Sequence, residues 1–258
     1  MITLASDFGT PYPAAMKGVI LARTETPVDL VDVAHDFPRG DVRTAAFWLR
    51  EVLPYFPPAV HLAVVDPGVG TDRNALVIRA GEHALVGPDN GVLLPAARRL
   101  LEASETDALS AFTIDDSSAE SATFHGRDVF APAAAAVHEA GVDALETVPS
   151  LTPVPSVVDL TIPDARLEET GATGEVLVVD DFGNVVTNVP GAVLEGREDV
   201  RVDGQRVPVG ETFAAVPPGE KLATVGSHGF VELDVNDGRG DEAFSLAPGE
   251  VVRLEWPI

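Results

Sequence analysis

The stretch VHLAVVDPGVGTDR, residues 60–73, decides the fold class. It begins with a short, mostly apolar and β-branched run, which is the composition of a strand with both faces buried. The run ends at Asp66, and Pro67, Gly68 and Gly70 then supply the residue types of a turn. Buried strands that end in polar turns are the repeating feature of sheets covered by helices on both faces. We therefore predict an α/β fold.

The same pattern recurs through the first 150 residues. Short apolar runs predict further strands at residues 2–5, 28–34, 75–78 and 84–86. Helical spacing of apolar residues predicts helices at residues 14–23, 41–53, 91–101 and 128–140. Alternation of strands with helices indicates a mostly parallel sheet.

The pattern changes near residue 150. The stretch VPSLTPVPSVVDLTIPDA, residues 148–165, is rich in proline, which suits neither a helix nor a central strand. Hairpin signals follow it, including Asp203-Gly204 between alternating runs and the sequence GSHG at residues 226–229. We predict an N-terminal α/β domain over residues 1–150, a proline-rich linker over 151–168 and an all-β C-terminal domain over 169–258.

The charge balance argues against nucleic acid as a partner. The chain has 41 acidic residues against 17 lysines and arginines, a net charge of −24. A surface so rich in carboxylates repels phosphate and suits a cytoplasm of molar salt, where screening falls to roughly 3 Å. We therefore expect a halophilic source and a small-molecule ligand.

The composition also limits the chemistry and the location. The chain contains no cysteine, which excludes disulfides, thiolate metal sites and cysteine nucleophiles. We find no apolar run long enough to span a membrane and no secretory signal at the N-terminus, so we expect a cytoplasmic protein without membrane contact.

Polar residues follow several of the predicted strands. Asp7 follows the first strand, Asp66 the third, and Asp89 and Asn90 a later one, while His125 precedes a helix. Taken singly, each of these residues could have a purely structural role in a turn or at the start of a helix. Because open α/β sheets bind ligands outside the carboxyl ends of their strands, their joint placement predicts a site at one edge of the sheet.

Several motifs together resemble one enzyme family. They are SDFG (6–9), MKG (16–18), VVDPGVGTDR (64–73), GPDNG (87–91), TFHGRD (123–128) and DFGNVVTN (181–188). In order and spacing they are similar to the S-adenosylmethionine (SAM) hydroxide adenosyltransferases, also called adenosine-forming SAM hydrolases, which are relatives of the fluorinases and chlorinases. The resemblance implies an α/β domain joined to a β-barrel-like domain. It also implies a homotrimer with each active site between the N-terminal domain of one subunit and the C-terminal domain of the next.

The resemblance also implies roles for particular residues. Asp66, Arg73 and His125 match the group around the attacking water, and Asp7 matches the aspartate that holds the ribose hydroxyls. The C-terminal matches are Asp180 for the methionine amino group, Phe182 and Asn184 for the adenine pocket, Phe213 for stacking on the base, and Ser227 for the methionine carboxylate. Two positions depart from relatives: the loop at Tyr12 is shorter, and His228 replaces an arginine of the halogenases.

The implied reaction suits these residue types. The leaving group is a neutral thioether, so it needs no proton, and the step calls for neither a metal nor another cofactor. The protein has to align and partly desolvate a water molecule. Asp66 would orient that water and Arg73 would fix Asp66, while either Asp66 or His125 could act as the base. One carboxylate, that of Asp7, can accept both ribose hydroxyls.

Three alternative functions follow from the same residues. A halogenase is disfavoured because halogenases carry tyrosines where Asp66 and His125 stand. A non-catalytic adenosine- or SAM-binding protein would not need the complete Asp66, Arg73 and His125 set. The third alternative is a metal-dependent phosphohydrolase built from Asp7, Asp66, Asp89, His125 and Asp128, although no close-spaced ligand motif supports it.

Overall fold

The computed structural model describes residues 1–102, 104, 108–117, 119, 121 and 123–256. The chain divides into two compact units, Met1–Thr161 and Ile162–Ile258. The boundary between them falls within the stretch predicted as the linker.

The first unit contains a seven-stranded sheet in the order β2-β1-β3-β5-β4-β6-β7. Neighbours from β2 to β5 are parallel and the remaining pairs are antiparallel, so five of the seven strands in this described sheet run in the same direction. The strands are β1 (Ile2–Ser6), β2 (Leu30–Ala34), β3 (Val60–Val64), β4 (Ala75–Ala80), β5 (His83–Pro88), β6 (Ser110–Ile114) and β7 (Leu151–Val154).

Helices cover both faces of this sheet, which confirms the predicted α/β fold. They are α1 (Tyr12–Arg23), α2 (Val42–Val52), α3 (Leu94–Leu101) and α4 (Ala131–Ala140). Side chains of α1 and α4 pack into one apolar core, and those of α2 and α3 pack into a second core. Every residue of β3 is buried, as expected for a strand between two helical layers. No helix in the described part of the chain is both long and apolar enough to cross a membrane.

The sheet is mixed because some of its connections are short. Only Gly81 and Glu82 join β4 to β5, and a connection of two residues permits only an antiparallel pair. Two strands lie inside the predicted linker: β7 pairs with β6, and β8 (Arg166–Glu168) pairs with β9. Pro153 fits in β7 because β7 is an edge strand of its sheet.

The second unit is an antiparallel, nearly closed barrel, as the prediction of an all-β domain required. Its main sheet has the order β12-β11-β15-β9-β10-β14-β13. Val209, just after β12, bridges to Ala223 of β13 and brings the two end strands together. The strands besides β8 are β9 (Gly171–Val179), β10 (Val185–Pro190), β11 (Asp199–Val202), β12 (Gln205–Pro208), β13 (Lys221–Val225), β14 (Phe230–Val235) and β15 (Val251–Glu255), with helix α5 at Gly240–Phe244.

The predicted hairpin at Asp203-Gly204 joins β11 to β12. Both residues have positive φ angles, 48° and 84°, the conformation that a two-residue hairpin turn requires. Apolar side chains that alternate along the strands fill the interior of the barrel, among them Val176, Val185, Val200, Leu233 and Val252.

Candidate active site

The polar residues of the first unit meet at one edge of its sheet. Asp7 directly follows β1, Asp66 lies just beyond β3, and Asp89 directly follows β5. These three strands are parallel neighbours, so their carboxyl ends share an edge. Arg73 lies just before β4, whose first residue pairs with the last residue of the antiparallel β5. The convergence predicted for this edge is therefore present.

Arg73 joins Asp66 to His125. Its Nε donates to both carboxylate oxygens of Asp66 at 3.0 Å, and its Nη2 also binds Oδ2. The same Nη2 lies 2.9 Å from Nδ1 of His125. The side chains of Asp66 and Arg73 are 4% and 9% exposed, so the ion pair is well shielded from water. Such a pair fixes the direction of both groups.

The contact with Arg73 sets the tautomer of His125. An arginine N–H can only donate, so Nδ1 of His125 accepts and its remaining hydrogen lies on Nε2. His125 is buried at the start of a π-helical turn, Gly126–Phe130, an irregularity often found at functional sites. The guanidinium of Arg73 lies 5.1 Å from the centre of the Phe130 ring in this turn.

Asp89 and Asn90 hold backbone segments in place. Asp89 accepts the amide of Asn74 at 3.1 Å and the backbone N–H of Val158 at 2.7 Å. Asn90 donates to the carbonyl of Val65, the residue before Asp66, at 2.9 Å. These two residues therefore hold the backbone segments that surround the site, and we refer to this role as the frame of the site.

The ligand set of the phosphohydrolase alternative does not assemble. Asp128 is paired with Arg127 at 2.5 Å, and hydrogen bonding to that arginine lowers the pKa of Asp128. Within the described ranges, no group of three or more histidine, aspartate or glutamate side chains is arranged to hold a metal ion.

Phe8, the residue after Asp7, packs with two further aromatic rings, and neither Phe8 nor Phe124 was singled out from the sequence. The rings of Phe8, Tyr12 and Phe124 pack edge to face, with centres 5.3–6.4 Å apart. Tyr12 is 54% exposed. Phe8 and Phe124 directly follow and precede Asp7 and His125, so their positions inside the SDFG and TFHGRD motifs could have revealed them.

The second unit brings two of its predicted residues together in the turn from β9 to β10. Oδ1 of Asp180 accepts the backbone N–H of Asn184 at 2.8 Å, and Oδ2 accepts its side-chain amide at 3.0 Å. Gly183 has a φ of +88°, and a Cβ there would lie 2.8 Å from Arg239. Phe182, at the tip of this turn, is 79% exposed.

The other two predicted residues lie on separate turns of this unit. Phe213 begins a 3-10 turn and is 44% exposed. Ser227 is exposed in the turn from β13 to β14, which the N–H of Gly229 closes by donating to the carbonyl of Gly226 at 3.0 Å.

Glu232 and Asp234, neighbours of Asp180, were missed by the sequence analysis. Burial, and then the charges of Asp234 and Asp180, raise the pKa of Glu232 to about 7. Burial raises the pKa of Asp234 to about 6, although the Thr224 hydroxyl, 2.7 Å from Oδ2, opposes the shift. A Cβ at Gly226 would overlap the carboxyl of Glu232, so this side chain packs against the turn that holds Ser227.

The fold and this site define a two-unit protein with a buried Asp–Arg–His cluster at the edge of an α/β sheet. Residues 2–148 match the SAM hydroxide adenosyltransferase N-terminal domain, and residues 174–253 match the C-terminal domain of the same family. The chain belongs to the SAM hydroxide adenosyltransferase family.

Full-length relatives support this membership. The (R)-S-adenosyl-L-methionine hydrolase of Salinispora tropica is 43% identical over 98% of this chain and 97% of the relative. The protein of the same name from Thermus thermophilus is 45% identical over 96% of this chain and 97% of the relative. An uncharacterized conserved protein from Thermotoga maritima has a crystal structure with a TM-score of 0.82 and 33% identity, covering 98% of this chain and 99% of that chain.

Proposed function

We propose that the protein hydrolyses S-adenosyl-L-methionine to adenosine and L-methionine by attack of water on C5′ of the ribose. The buried Asp66–Arg73–His125 cluster carries the proposal, because it supplies a fixed carboxylate at the ligand-binding edge of the sheet. The names of relatives 43–45% identical over nearly the whole chain support the same substrate.

The reaction is a single displacement. The water oxygen forms a bond to C5′ as the bond from C5′ to sulfur breaks, and the sulfur keeps the electron pair as a neutral thioether. The leaving group therefore needs no acid, and the water has only to be aligned and deprotonated. We assign the base to Asp66, since Arg73 occupies Nδ1 of His125 and the other ring nitrogen carries hydrogen. His125 then acts as a hydrogen-bond donor through Nε2.

The substrate contacts belong to the same proposal. Asp7 would accept hydrogen bonds from the two ribose hydroxyls. Asp180 would bind the amino group of the methionine part, and Ser227 would bind its carboxylate. The adenine would be enclosed by Phe182, Asn184 and Phe213. The large exposed area of Phe182 and Phe213 supports a role in covering a ligand. We further propose a homotrimer with active sites at subunit interfaces. The net charge of −24 supports a halophilic source, and a cytoplasmic location stays a prediction.

The decisive experiment is an incubation with SAM in molar KCl and ¹⁸O-water. The nucleoside products are separated by chromatography and their masses are measured by mass spectrometry. The two sulfonium epimers are assayed separately, since the relatives' names specify an (R) form. We expect adenosine labelled with ¹⁸O and methionine in equal amounts.

The same incubation separates a hydrolase from a halogenase. A chloride roughly 4 Å from the Asp66 carboxylate, at an effective dielectric near 20, would be repelled by about 4 kcal/mol, and Arg73 offsets part of this. We therefore expect no chlorinated nucleoside, and at most traces of it from Asp66→Tyr. Chlorodeoxyadenosine as a major product of the unmodified enzyme would contradict the proposal, and so would recovery of intact SAM.

A further inference from the structure

Two hydroxyl–imidazole pairs, each with a buried hydroxyl, lie at opposite ends of β1. At its beginning, Oγ1 of Thr3 lies 2.8 Å from Nδ1 of His61. At its end, Oγ of Ser6 lies 2.8 Å from Nδ1 of His35. Both hydroxyl residues are at most 1% exposed. Only the second pair adjoins the candidate active site, because Asp7 follows Ser6 directly.

The pair at Ser6 is the inner end of a chain of polar side chains that starts at the surface. Lys17 donates to Asp32 at 2.5 Å, and Nε2 of His35 lies 2.9 Å from the other carboxylate oxygen of Asp32. The side chains of Asp32 and Lys17 are 47% and 30% exposed, that of His35 is 16% exposed and Ser6 is fully buried. Burial opposes ionisation of Asp32, but Lys17 and His35 outweigh it and lower the pKa of its carboxyl.

The contact with Asp32 determines which ring nitrogen of His35 accepts a hydrogen bond from Ser6. A carboxylate can only accept, so Nε2 of His35 carries a hydrogen toward Asp32, and in the neutral ring Nδ1 accepts the Ser6 hydroxyl. Serine hydrolases use the same order, Ser–His–Asp, to activate a serine nucleophile. Since Ser6 is fully buried, no substrate can reach its hydroxyl. This series of hydrogen-bonded side chains therefore has a role other than activating a serine nucleophile.

The same histidine also holds the loop that carries Asp7. The carbonyl of His35 accepts the N–H of Gly9 at 2.7 Å, and Oδ2 of Asp7 accepts the N–H of Gly40 at 2.7 Å. Together with the Ser6 contact, these bonds tie the end of β1 and the loop after it to the loop after β2 at three places. Oδ1 of Asp7 accepts no hydrogen bond from the residues that the structure describes, so one carboxylate oxygen stays available to a ligand.

We propose that His35, braced by Asp32 and Lys17, is a positioning residue that aims the carboxylate of Asp7 at a vicinal diol, the ribose hydroxyls of the substrate. The inference rests on the proposed function and deepens it. It predicts that the Ser6–His35 contact affects recognition of the diol, whereas the matching Thr3–His61 contact affects stability alone.

Binding of two nucleosides tests this directly. Adenosine carries the diol and 2′,3′-dideoxyadenosine lacks it, so the ratio of their dissociation constants, measured by calorimetry, reports the diol contact. We expect the unmodified protein to prefer adenosine by about tenfold or more, as for hydroxyls bound to a carboxylate. Ser6→Ala and His35→Ala should reduce the ratio severalfold, and the matched control Thr3→Val should keep it. His35→Gln, which can still donate to Asp32 and accept from Ser6, should restore most of the preference.

Kinetics and melting temperatures complete the test. Ser6→Ala should raise KM for SAM by about tenfold and change kcat by less than about threefold, because a diol contact binds substrate and transition state alike. Ser6→Ala and Thr3→Val should lower Tm by similar amounts. An unchanged nucleoside ratio in folded Ser6→Ala and His35→Ala, or an equal loss in Thr3→Val, would overturn the inference while leaving the hydrolase intact. An unmodified protein that neither consumes SAM nor prefers adenosine would instead refute the proposed function.

Discussion

The two units differ in how their buried titratable side chains are accommodated. In the first unit, burial and then the charge of His83 lower the pKa of His61 to about 3, so this imidazole is neutral, and the buried Asp66 is neutralised by Arg73. In the second unit, burial raises the pKa values of Glu232 and Asp234. Oδ1 of Asp234 is buried and accepts no hydrogen bond from the described residues.

This difference separates two kinds of polar site. The cluster around Arg73 has its hydrogen bonds in place before any ligand arrives, which is the preorganisation that a displacement on C5′ needs. For Glu232 and Asp234 of the second unit, burial outweighs the interactions that favour the charged form, so ionising these carboxyls costs stability. The comparison predicts that substitutions in the cluster around Arg73 change turnover, whereas substitution of the exposed Phe182 in the second unit changes substrate binding and substitution of Glu232 changes the pH dependence of stability.

The largest effect is expected at Asp66. Asp66→Asn keeps the shape of the side chain but removes its charge and basicity, so turnover of SAM should fall by at least about 10²-fold while the substrate still binds. Asp72→Asn is the matched control, because this carboxylate lies in the same loop as Asp66 but is exposed. The control should stay within about threefold of normal turnover. Single-turnover rates and calorimetry measure both quantities, and near-normal turnover in Asp66→Asn would remove the distinction between the units.

A smaller effect is expected at Phe182. Phe182→Ala should raise KM for SAM by about tenfold, the order of one lost stacking contact, with little change in kcat. Stability should hardly change, because this ring is 79% exposed. Tyr55→Ala removes an aromatic ring that is 85% exposed in the first unit and serves as the control. Equal KM values for the two variants would show that Phe182 does not contact the substrate.

The smallest effect concerns pH. Because the folded pKa of Glu232 is about 7 and the usual value is 4.5, its contribution favours the folded state below pH 4.5 and is lost as pH rises toward 7. The opposite holds for His61, whose contribution is lost as pH falls from 6.5 toward 3. The second unit should therefore lose stability between pH 5 and 8, and Glu232→Gln should remove about 1 kcal/mol of that loss, allowing for partial exposure.

The two tryptophans allow this to be measured for each unit. Trp48 lies in the first unit and Trp256 in the second, so Trp48→Phe leaves a fluorescence reporter of the second unit alone. Urea unfolding of this variant at pH 5 and 8 is compared with and without Glu232→Gln. Glu220→Gln, at an exposed glutamate, is the control. A pH dependence that Glu232→Gln leaves unchanged would contradict the assignment of the shift to Glu232.

The parts of the fold that could be predicted are those with a local cause. Apolar runs located β1, β3 and β5 because a strand buried on both faces leaves a continuous apolar signal. The Asp203-Gly204 turn was predictable because few residues tolerate positive φ. Strand β7 was not predicted, since Pro153 obscures a strand that only an edge position permits.

By itself, the sequence determined the α/β and all-β character of the two units, the strand ends at which Asp7 and Asp66 stand, and the motifs that identify the family. Only the tertiary structure decided that Arg73 reaches His125, 52 residues further along the chain, and that Asp89 and Asn90 serve the frame of the site. It also decided that Asp234 is buried and Glu232 half-buried, both near Asp180. The physical reason is that periodicity and turn propensity act between neighbours in sequence, whereas hydrogen-bond partners and burial of charge depend on which strands the fold places side by side.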